Sequence, residues 1–269
     1  MNFIALQHIR RMVSGLNLSV ALMGLAIGST QIAAAEGIGT GRLLLPPSLA
    51  TPVALIEARG GDYCSGILLS SRLVLTARHC VEWVSAFEVT IGAAEPRARA
   101  TAHRILTPDA PAAVENMFRE KDQLVADYRE KLQSLIARDV ALIVLDAPVD
   151  PTLAFSAGLV PEAWRAALPG GRLEMVGFPF HSQARDAAGA LLPTVNAVGC
   201  KILSSTAQVV TTDCPMTGGG SGGPVFLDYG GERYLAGVIS TGGAARSRFV
   251  SLADDQLKRW LRAAIAIYP

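Results

Sequence analysis

The sequence predicts an all-β protein, and three observations favour that fold class. Half of the 269 residues are apolar and 17% are charged, a composition that supports a large core and excludes a disordered chain. The 26 glycines and 15 prolines separate many short apolar runs, as is typical of strands joined by tight turns. These runs follow one another too closely for the helices that parallel strands require between them.

The first 35 residues have the pattern of a cleaved secretory signal. Arg10 and Arg11 end a basic start, residues 16–27 form an apolar stretch, and residues 33–35 are alanines that offer a cleavage site. A membrane anchor is the alternative, because residues 12–35 carry no charge. The apolar stretch is, however, shorter than the ~20 residues of a spanning helix. We therefore expect a secreted or periplasmic protein with no membrane association after signal removal.

Strands account for most of the remaining chain, and two segments are helical. Apolar residues at three- and four-residue steps predict a helical insertion over residues 114–136, and a similar pattern predicts a C-terminal helix that begins near Asp254. A loop-like stretch after residue 150 separates an N-terminal domain, 36–150, from a C-terminal domain, 151–269. The predicted strands are Val53–Ile56, Ser65–Leu69, Leu73–Thr76, Phe87–Ile91, Val140–Leu145, Leu173–Gly177, Val195–Leu203, Gln208–Thr212, Val225–Asp228 and Tyr234–Ser240.

Four cysteines in an exported chain predict two disulfides. Three pairings of Cys64, Cys80, Cys200 and Cys214 exist, and we favour the pairing of nearest neighbours. The chain contains no C-x-x-C pair and only three histidines after the signal. We therefore expect no metal site and no cofactor.

The charge distribution excludes a nucleic-acid-binding protein. The formal net charge is +1, and no long run of Lys and Arg occurs. A grip on phosphates needs such residues in clusters.

A glycine-rich segment around Ser221 is a candidate for acyl-transfer chemistry. It runs from Gly218 to Pro224 and leads directly into a predicted strand, which is unusual for a flexible linker. A serine between glycines can expose its Oγ while neighbouring N–H groups converge on a substrate oxygen. The segment also matches the nucleophile elbow of α/β-hydrolases, but that fold places its histidine after the serine. The last histidine here is His181, so chain order excludes that fold.

A serine nucleophile needs a base and a carboxylate that orients the base. His79 is the strongest candidate base, because it follows a predicted strand and precedes Cys80, whereas His103 lies among surface-type residues. Asp139 precedes the apolar run 140–145 and is the candidate carboxylate. Asp146, at the other end of that run, is the alternative, and an Asp beside a strand is often only a turn residue.

The chain resembles the trypsin/chymotrypsin-like serine endopeptidases in three motifs. These are residues 76–80 (TARHC), 139–142 (DVAL) and 219–224 (GGSGGP), in the order His, Asp, Ser. Cys64 also lies 16 residues before Cys80, the spacing of the family's disulfide beside the catalytic histidine. The resemblance covers residues 52–265, nearly the whole mature chain.

The resemblance implies a fold and a set of residue roles. The fold is two perpendicular six-stranded antiparallel β-barrels with the site between them. His79 would be the general base, Asp139 its orienting partner and Ser221 the nucleophile. The N–H groups of Gly219 and Ser221 would form the oxyanion hole. Residues 240–242 (Ser240, Thr241 and Gly242) would pair with an extended substrate, and Pro215 and Met216 would line the specificity pocket.

Three positions depart from the family pattern. Gly220 replaces the usual Asp before the nucleophile, and no Ile-Val-Gly-Gly-like start occurs, so the chain is nearer to bacterial secreted relatives such as the glutamyl endopeptidases. Pro215 stands at the expected pocket floor, where no carboxylate is available for a basic side chain. Arg78 stands where a small residue is usual, and the sequence does not explain it.

These features together predict a monomeric serine endopeptidase that cleaves polypeptide substrates through an acyl-enzyme. The alternative is a catalytically silent binding protein on the same fold, because one fold can carry many functions.

Overall fold

The computed structural model of the chain describes residues 43–44, 51–58, 61–82, 87–92, 98–110, 115, 134–156, 158–161, 164, 172–180 and 184–269. The predicted signal segment, residues 1–35, lies outside the described residues. So does most of the predicted insertion, of which Glu115 and residues 134–136 are described and are helical. In the described part of the chain, no helix has the length and apolar character needed to cross a membrane.

Six antiparallel strands of the N-terminal half form a closed barrel. They are β2 (Val53–Ala58), β3 (Tyr63–Ser70), β4 (Leu73–Thr76), β5 (Phe87–Ile91), β6 (Ala98–Leu106) and β7 (Ala141–Leu145), with the short helix α1 (His79–Glu82) after β4. Their order around the barrel is β2-β3-β4-β7-β6-β5. Strands β4 and β7 are buried along their whole length, and all their residues except Thr76 are apolar.

Seven strands of the C-terminal half and one short strand near residue 43 form an antiparallel sheet of eight strands rather than the expected six. The members are β1 (Leu43–Leu44), β8 (Arg172–Gly177), β11 (Thr194–Val198), β12 (Ile202–Ser205), β13 (Val209–Thr212), β14 (Pro224–Tyr229), β15 (Glu232–Gly242) and β16 (Ser247–Ser251). Strand β1 pairs with β11 at one end of the sheet, and β12 is at the other end. Among the described residues, β1 and β12 do not pair with each other. A separate hairpin joins β9 (Ala184–Arg185) to β10 (Leu191–Leu192).

One strand prediction was wrong, and strands β1, β6, β9, β10 and β16 were not predicted. Residues 195–203 were expected to form one strand, but β11 ends at Val198 and β12 begins at Ile202. Gly199 turns the chain there with a φ of 71°, a conformation that favours glycine. The nine-residue strand β6 was not predicted, because several of its positions are polar and exposed, as in His103.

The predicted C-terminal helix is confirmed as α2 (Asp255–Ile267). Asp254 caps its N-terminus, since the carboxylate accepts a 2.8 Å hydrogen bond from the N–H of Leu257. Leu257 and Leu261 are buried in the main hydrophobic cluster, which includes residues of both the barrel and the eight-stranded sheet. The core thus holds the two sets of strands against each other.

Candidate active site

The barrel positions His79 on a rigid support. Strand β4 is entirely buried and leads directly into α1, whose first residue is His79. The turn is closed by hydrogen bonds from the N–H of Val81 and Glu82 to the carbonyl of Arg78. A disulfide between Cys80 and Cys64 ties this turn to β3, as favoured from the sequence. The sulfur of Cys80 lies 3.6 Å from Nε2 of His79, so the bridge packs against the imidazole.

Asp139 holds His79 through two hydrogen bonds. Its Oδ1 accepts one from the main-chain N–H of His79 at 2.9 Å, and its Oδ2 lies 2.8 Å from Nδ1 of the ring. The pairing of β4 with β7 brings these residues together, because Thr76 faces Ala141 in register. With the carboxylate on Nδ1, the ring is held in the tautomer whose basic nitrogen is Nε2.

The environment of Asp139 keeps its carboxylate ionised. Burial raises the pKa of this carboxyl, which is only 3% exposed. The charge of His79 and the hydrogen bonds from His79 and Ser240 outweigh burial, so the pKa lies below its ordinary value of about 3.9. The result is a buried negative charge directed at the imidazole.

Asp146, the alternative carboxylate, lies at the other end of β7 and is exposed. It accepts hydrogen bonds from the hydroxyl of Thr101 at 2.6 Å and from the N–H of Ala147 at 2.9 Å. The hydrogen bond from the Thr101 side chain is the main reason that the pKa of Asp146 is lowered. Its described contacts are therefore those of a turn residue, and it is Asp139 that the structure brings to His79.

Ser221 lies in the loop between β13 and β14, and glycines give the loop its shape. Gly219 and Gly222 have φ values of 84° and 81°, in the left-handed region. A Cβ at Gly222 would overlap the carbonyl of Ser65 and the hydroxyl of Thr76, so the loop lies directly against the barrel. Only glycine meets both requirements.

Ser240 links this loop to Asp139. The hydroxyl of Ser221 donates a 3.4 Å hydrogen bond to the carbonyl of Ser240. The hydroxyl of Ser240 donates in turn to Oδ2 of Asp139 at 2.5 Å. Strand β15 from the second sheet thus contacts both Asp139 and Ser221.

The predicted oxyanion donors are available for a ligand. Neighbouring N–H groups of the loop are paired, as in the bond from Gly220 to the carbonyl of Thr217 and the bond from Gly222 to the carbonyl of Ile239. Within the described part of the chain, the N–H groups of Gly219 and Ser221 have no acceptor. Two main-chain donors without partners, separated by one residue in the chain, suit an oxyanion.

Met216 occupies the predicted specificity region. It is 1% exposed, and a Cβ added to Gly220 or Gly242 would collide with it, so its side chain lies between these two glycines. Pro215 is half-buried beside it. The hydroxyl of Thr241 is buried and has no hydrogen-bond partner among the residues described.

The two carboxylates nearest to this region in the sequence have partners elsewhere. Asp213 accepts a 2.8 Å hydrogen bond from the N–H of Lys201. Asp228 forms an ion pair with Arg233 at 2.5 Å. Asp228 is thus paired with a cation, and the carboxylate of Asp213 is bound to the main chain of Lys201.

Sequence reasoning missed a charged cluster beside His79. The guanidinium of Arg78, whose side chain is 3% exposed, forms ion pairs with Glu82 and with Glu115 of the insertion. Burial lowers the pKa of Arg78, but the bonds to Glu115 and Glu82 outweigh it and raise the pKa above its ordinary value. The i,i+4 spacing of Arg78 and Glu82 was a signal for the first pair, but none existed for the second.

Each disulfide joins two cysteines of the same half of the chain. No free thiol therefore remains among the described residues to bind a metal ion. The second disulfide joins Cys200 to Cys214 across the β12–β13 hairpin. The one described trio with metal-ligand spacing is Cys64, His79 and Cys80, but the two sulfurs of that trio are bonded to each other. His181 lies outside the described residues.

Comparison with known families agrees with this geometry. A family model, described as the trypsin-like peptidase domain, matches residues 64–234, which is more than half of the chain. The match includes His79, Asp139 and Ser221. The chain therefore belongs to the trypsin-like peptidase domain family.

Proposed function

We propose that this protein is a secreted serine endopeptidase whose triad is His79, Asp139 and Ser221. The observation that carries the proposal is the double attachment of His79 to the buried carboxylate of Asp139, through its main-chain N–H and through Nδ1. This attachment orients the ring and stabilises its charged form. Family membership and the glycine-shaped loop around Ser221 support the same reaction class.

The reaction proceeds in two halves. Oγ of Ser221 attacks the scissile carbonyl, and its proton passes to Nε2 of His79. The resulting oxyanion accepts hydrogen bonds from the N–H groups of Gly219 and Ser221. Collapse of this intermediate breaks the C–N bond, and the leaving amine takes the proton from His79. Water, deprotonated by His79, then attacks the acyl carbonyl. The bond between that carbon and Oγ breaks, the acid product leaves, and Oγ of Ser221 takes the proton back from His79.

The substrate is a polypeptide in extended conformation. Residues 240–242 at the end of β15 offer main-chain groups for pairing with it, as in strand addition to a sheet edge. Met216 limits the size of the side chain before the scissile bond, and a basic side chain would bury its charge without a partner. The preferred side chain is therefore small or medium-sized and apolar.

Several finer features complete the proposal. The enzyme acts as a monomer outside the cytoplasm, a location compatible with its two disulfides. It needs no metal or cofactor and is similar to bacterial secreted relatives of the glutamyl-endopeptidase type. The eight-stranded sheet curls into a second barrel perpendicular to the first.

A fluorophosphonate probe tests the proposal, because it reacts with an activated serine. We expect labelling on the peptide that contains Ser221, and loss of labelling and a fall in turnover of about six orders of magnitude in Ser221→Ala and His79→Ala. Ser205→Ala, on an exposed strand, is the matched control and should behave as the wild type. A folded wild-type protein that is neither labelled nor active would instead be a silent binding protein.

Digestion of a peptide library by the same preparations tests the specificity. We expect cleavage after small or medium-sized apolar residues by the wild type and none by Ser221→Ala. Cleavage mainly after Arg or Lys would show that a carboxylate reaches the pocket. That result would contradict the proposed preference for apolar side chains, but not the proposed triad.

A further inference from the structure

Ser65, in β3 of the barrel, contacts the loop of Ser221 through its side chain. The residue has 0% exposure. Its hydroxyl donates a 2.7 Å hydrogen bond to the carbonyl of Gly219 and accepts a 2.9 Å hydrogen bond from the N–H of Phe178. Both bonds connect positions more than 100 residues apart in the chain. A single hydroxyl thus joins the barrel to the nucleophile loop and to the segment after β8.

The main chain of Ser65 makes a second attachment to the same loop. Its N–H donates a 2.7 Å hydrogen bond to the carbonyl of Ser221. Its own carbonyl accepts a 2.7 Å hydrogen bond from the hydroxyl of Thr76, which precedes α1. Ser65 therefore holds the carbonyls of Gly219 and Ser221, the two residues whose N–H groups are the oxyanion donors.

Glycines allow this close approach. A Cβ at Gly177 would lie 2.5 Å from the hydroxyl oxygen of Ser65, and a Cβ at Gly223 would lie 3.2 Å from the Cβ of Ser65. The hydroxyl is enclosed by backbone on both sides. Because the residue has no exposure, bulk water does not reach Gly219 or Phe178 through this position.

The side-chain bond matters because Gly219 has no Cβ to restrain it. Its φ of 84° is one of many conformations that a glycine adopts at similar energy. Since the peptide group is planar, a bond to the carbonyl of Gly219 fixes the plane that joins Gly219 to Gly220. The N–H of Gly219 belongs to the neighbouring plane, which joins Gly218 to Gly219 and whose carbonyl accepts a 2.8 Å hydrogen bond from the N–H of Phe180. Because Ser65 fixes the plane on the other side of the Gly219 Cα, it limits the rotations at Gly219 that would turn this N–H away from a substrate oxygen.

We propose that Ser65 is a positioning residue for the oxyanion hole, and that its hydroxyl holds Gly219 in the orientation that stabilises the transition state. The inference rests on the proposed function, because this orientation matters only if Ser221 is the nucleophile. Ser65 itself does not touch the reacting atoms. Its main-chain bond to Ser221 remains in a side-chain variant, so the effect of the hydroxyl can be measured separately.

The test compares Ser65→Ala with Ser70→Ala. Ser70 is a matched control, because it lies in the same strand, is buried, donates to the carbonyl of Tyr268 and accepts from the N–H of Arg72. Each variant thus leaves one carbonyl and one N–H without their partner. Both should lose some stability, and assays are run below the unfolding transition of each variant, monitored by circular dichroism.

We expect Ser65→Ala to lower kcat by ~10- to 100-fold and to change KM less than twofold, since direct removal of an oxyanion donor costs ~10²–10³. The inhibition constant of a peptide aldehyde, whose hemiacetal places an oxygen in the oxyanion hole, should rise by the same factor as kcat/KM falls. Ser70→Ala should change neither quantity.

A kcat within twofold of the wild type, an equal fall in Ser70→Ala, or a loss confined to KM would overturn the inference. If Ser65→Ala does not fold, Ser65→Cys replaces it, with the Cys64–Cys80 bridge verified by peptide mapping. The thiol is a weaker donor than the hydroxyl, so we expect the kcat of Ser65→Cys to fall below that of the wild type, but by less than the ~10- to 100-fold expected for Ser65→Ala. A kcat equal to that of the wild type would refute the proposed role of the hydroxyl. An inactive wild-type protein would refute the proposed function instead, before any variant is compared.

Discussion

The hydroxyl of Ser240 donates a 2.5 Å hydrogen bond to Oδ2 of Asp139, although the two residues are 101 positions apart. The same oxygen lies 2.8 Å from Nδ1 of His79. Asp139 is therefore held between one side chain from the barrel and one from the eight-stranded sheet. The hydrogen bonds from His79 and Ser240 are stronger when the carboxylate of Asp139 is ionised, so their contribution to stability depends on pH.

The variant Ser240→Ala should reduce stability more at pH 6 than at pH 3. The folded-state pKa of Asp139 lies below its ordinary value, so its contribution is complete above about pH 3.9 and is lost as the pH falls through the folded pKa. Removing the Ser240 hydrogen bond raises that folded pKa and makes the contribution smaller. Urea denaturation at the two pH values measures the difference from the wild type, which should shrink in acid. In an Asp139→Asn background the difference should no longer depend on pH, and a persistent dependence would assign it to another group.

Asp139→Asn should lower kcat by ~10⁴-fold while the protein stays folded. An amide at this position favours the wrong tautomer of His79, because its NH₂ group cannot accept the ring proton. Asp146→Asn is the matched control, since Asp146 is exposed, ends the same strand and bonds to Thr101. Steady-state kinetics of both variants decide between the carboxylates. A larger loss in Asp146→Asn would contradict the assignment of Asp139.

Removing the Cys64–Cys80 disulfide should affect both stability and activity. The two bridges close loops of similar length, with sequence separations of 16 and 14, so each double Ser variant should lose ~3 kcal/mol of unfolding free energy. Only the first bridge packs against the imidazole of His79, so only Cys64→Ser/Cys80→Ser should also lower kcat. Denaturation curves and kinetics of both variants measure this. An equal loss of kcat in Cys200→Ser/Cys214→Ser would indicate a general effect of destabilisation.

Arg78→Met should destabilise the protein more than Glu115→Gln. Arg78 is buried and serves two carboxylates, so its loss removes the guanidinium that Glu82 and Glu115 share. It should cost ~3 kcal/mol, the low end for a broken buried pair, because both carboxylates are partly exposed. Glu115→Gln leaves the Arg78–Glu82 pair intact and should cost ~1 kcal/mol or less. Thermal and urea denaturation compare the two variants. A larger loss of stability in Glu115→Gln than in Arg78→Met would contradict the prediction, because it would mean that the charge of Glu115 matters more than the buried charge of Arg78.

Many features of this protein follow from residues that are close together in the chain. Apolar runs bounded by turn residues predicted β3, β4 and β7, and an apolar pattern with acidic residues near its start predicted α2. The favoured disulfides also join cysteines separated by short loops. Burial of apolar side chains and local hydrogen bonds determine such features, so a short stretch of sequence contains the needed information.

Local sequence alone did not separate Asp139 from Asp146; the resemblance favoured Asp139, and the tertiary structure shows which of the two lies beside His79. Both residues flank β7, and either could meet a histidine in principle. The register of β7 against β4, with Thr76 opposite Ala141, places the Asp139 end beside α1. The same applies to β6, whose polar positions gave no local signal and whose strand forms because barrel closure supplies partners on both sides.

The supporting residues of the site were also decided only by the fold. Serine occurs widely in turns and on surfaces, so nothing in the sequence predicts the side-chain hydrogen bond of Ser65 or that of Ser240, although the resemblance had placed Ser240 among the substrate-binding residues. Each bonds to a residue more than 100 positions away, Gly219 and Asp139 respectively. The role of each hydroxyl depends on the partner that lies within 3 Å of it in the folded protein. That partner is brought there by the pairing and packing of strands that are distant in the chain, so neighbouring residues do not determine it.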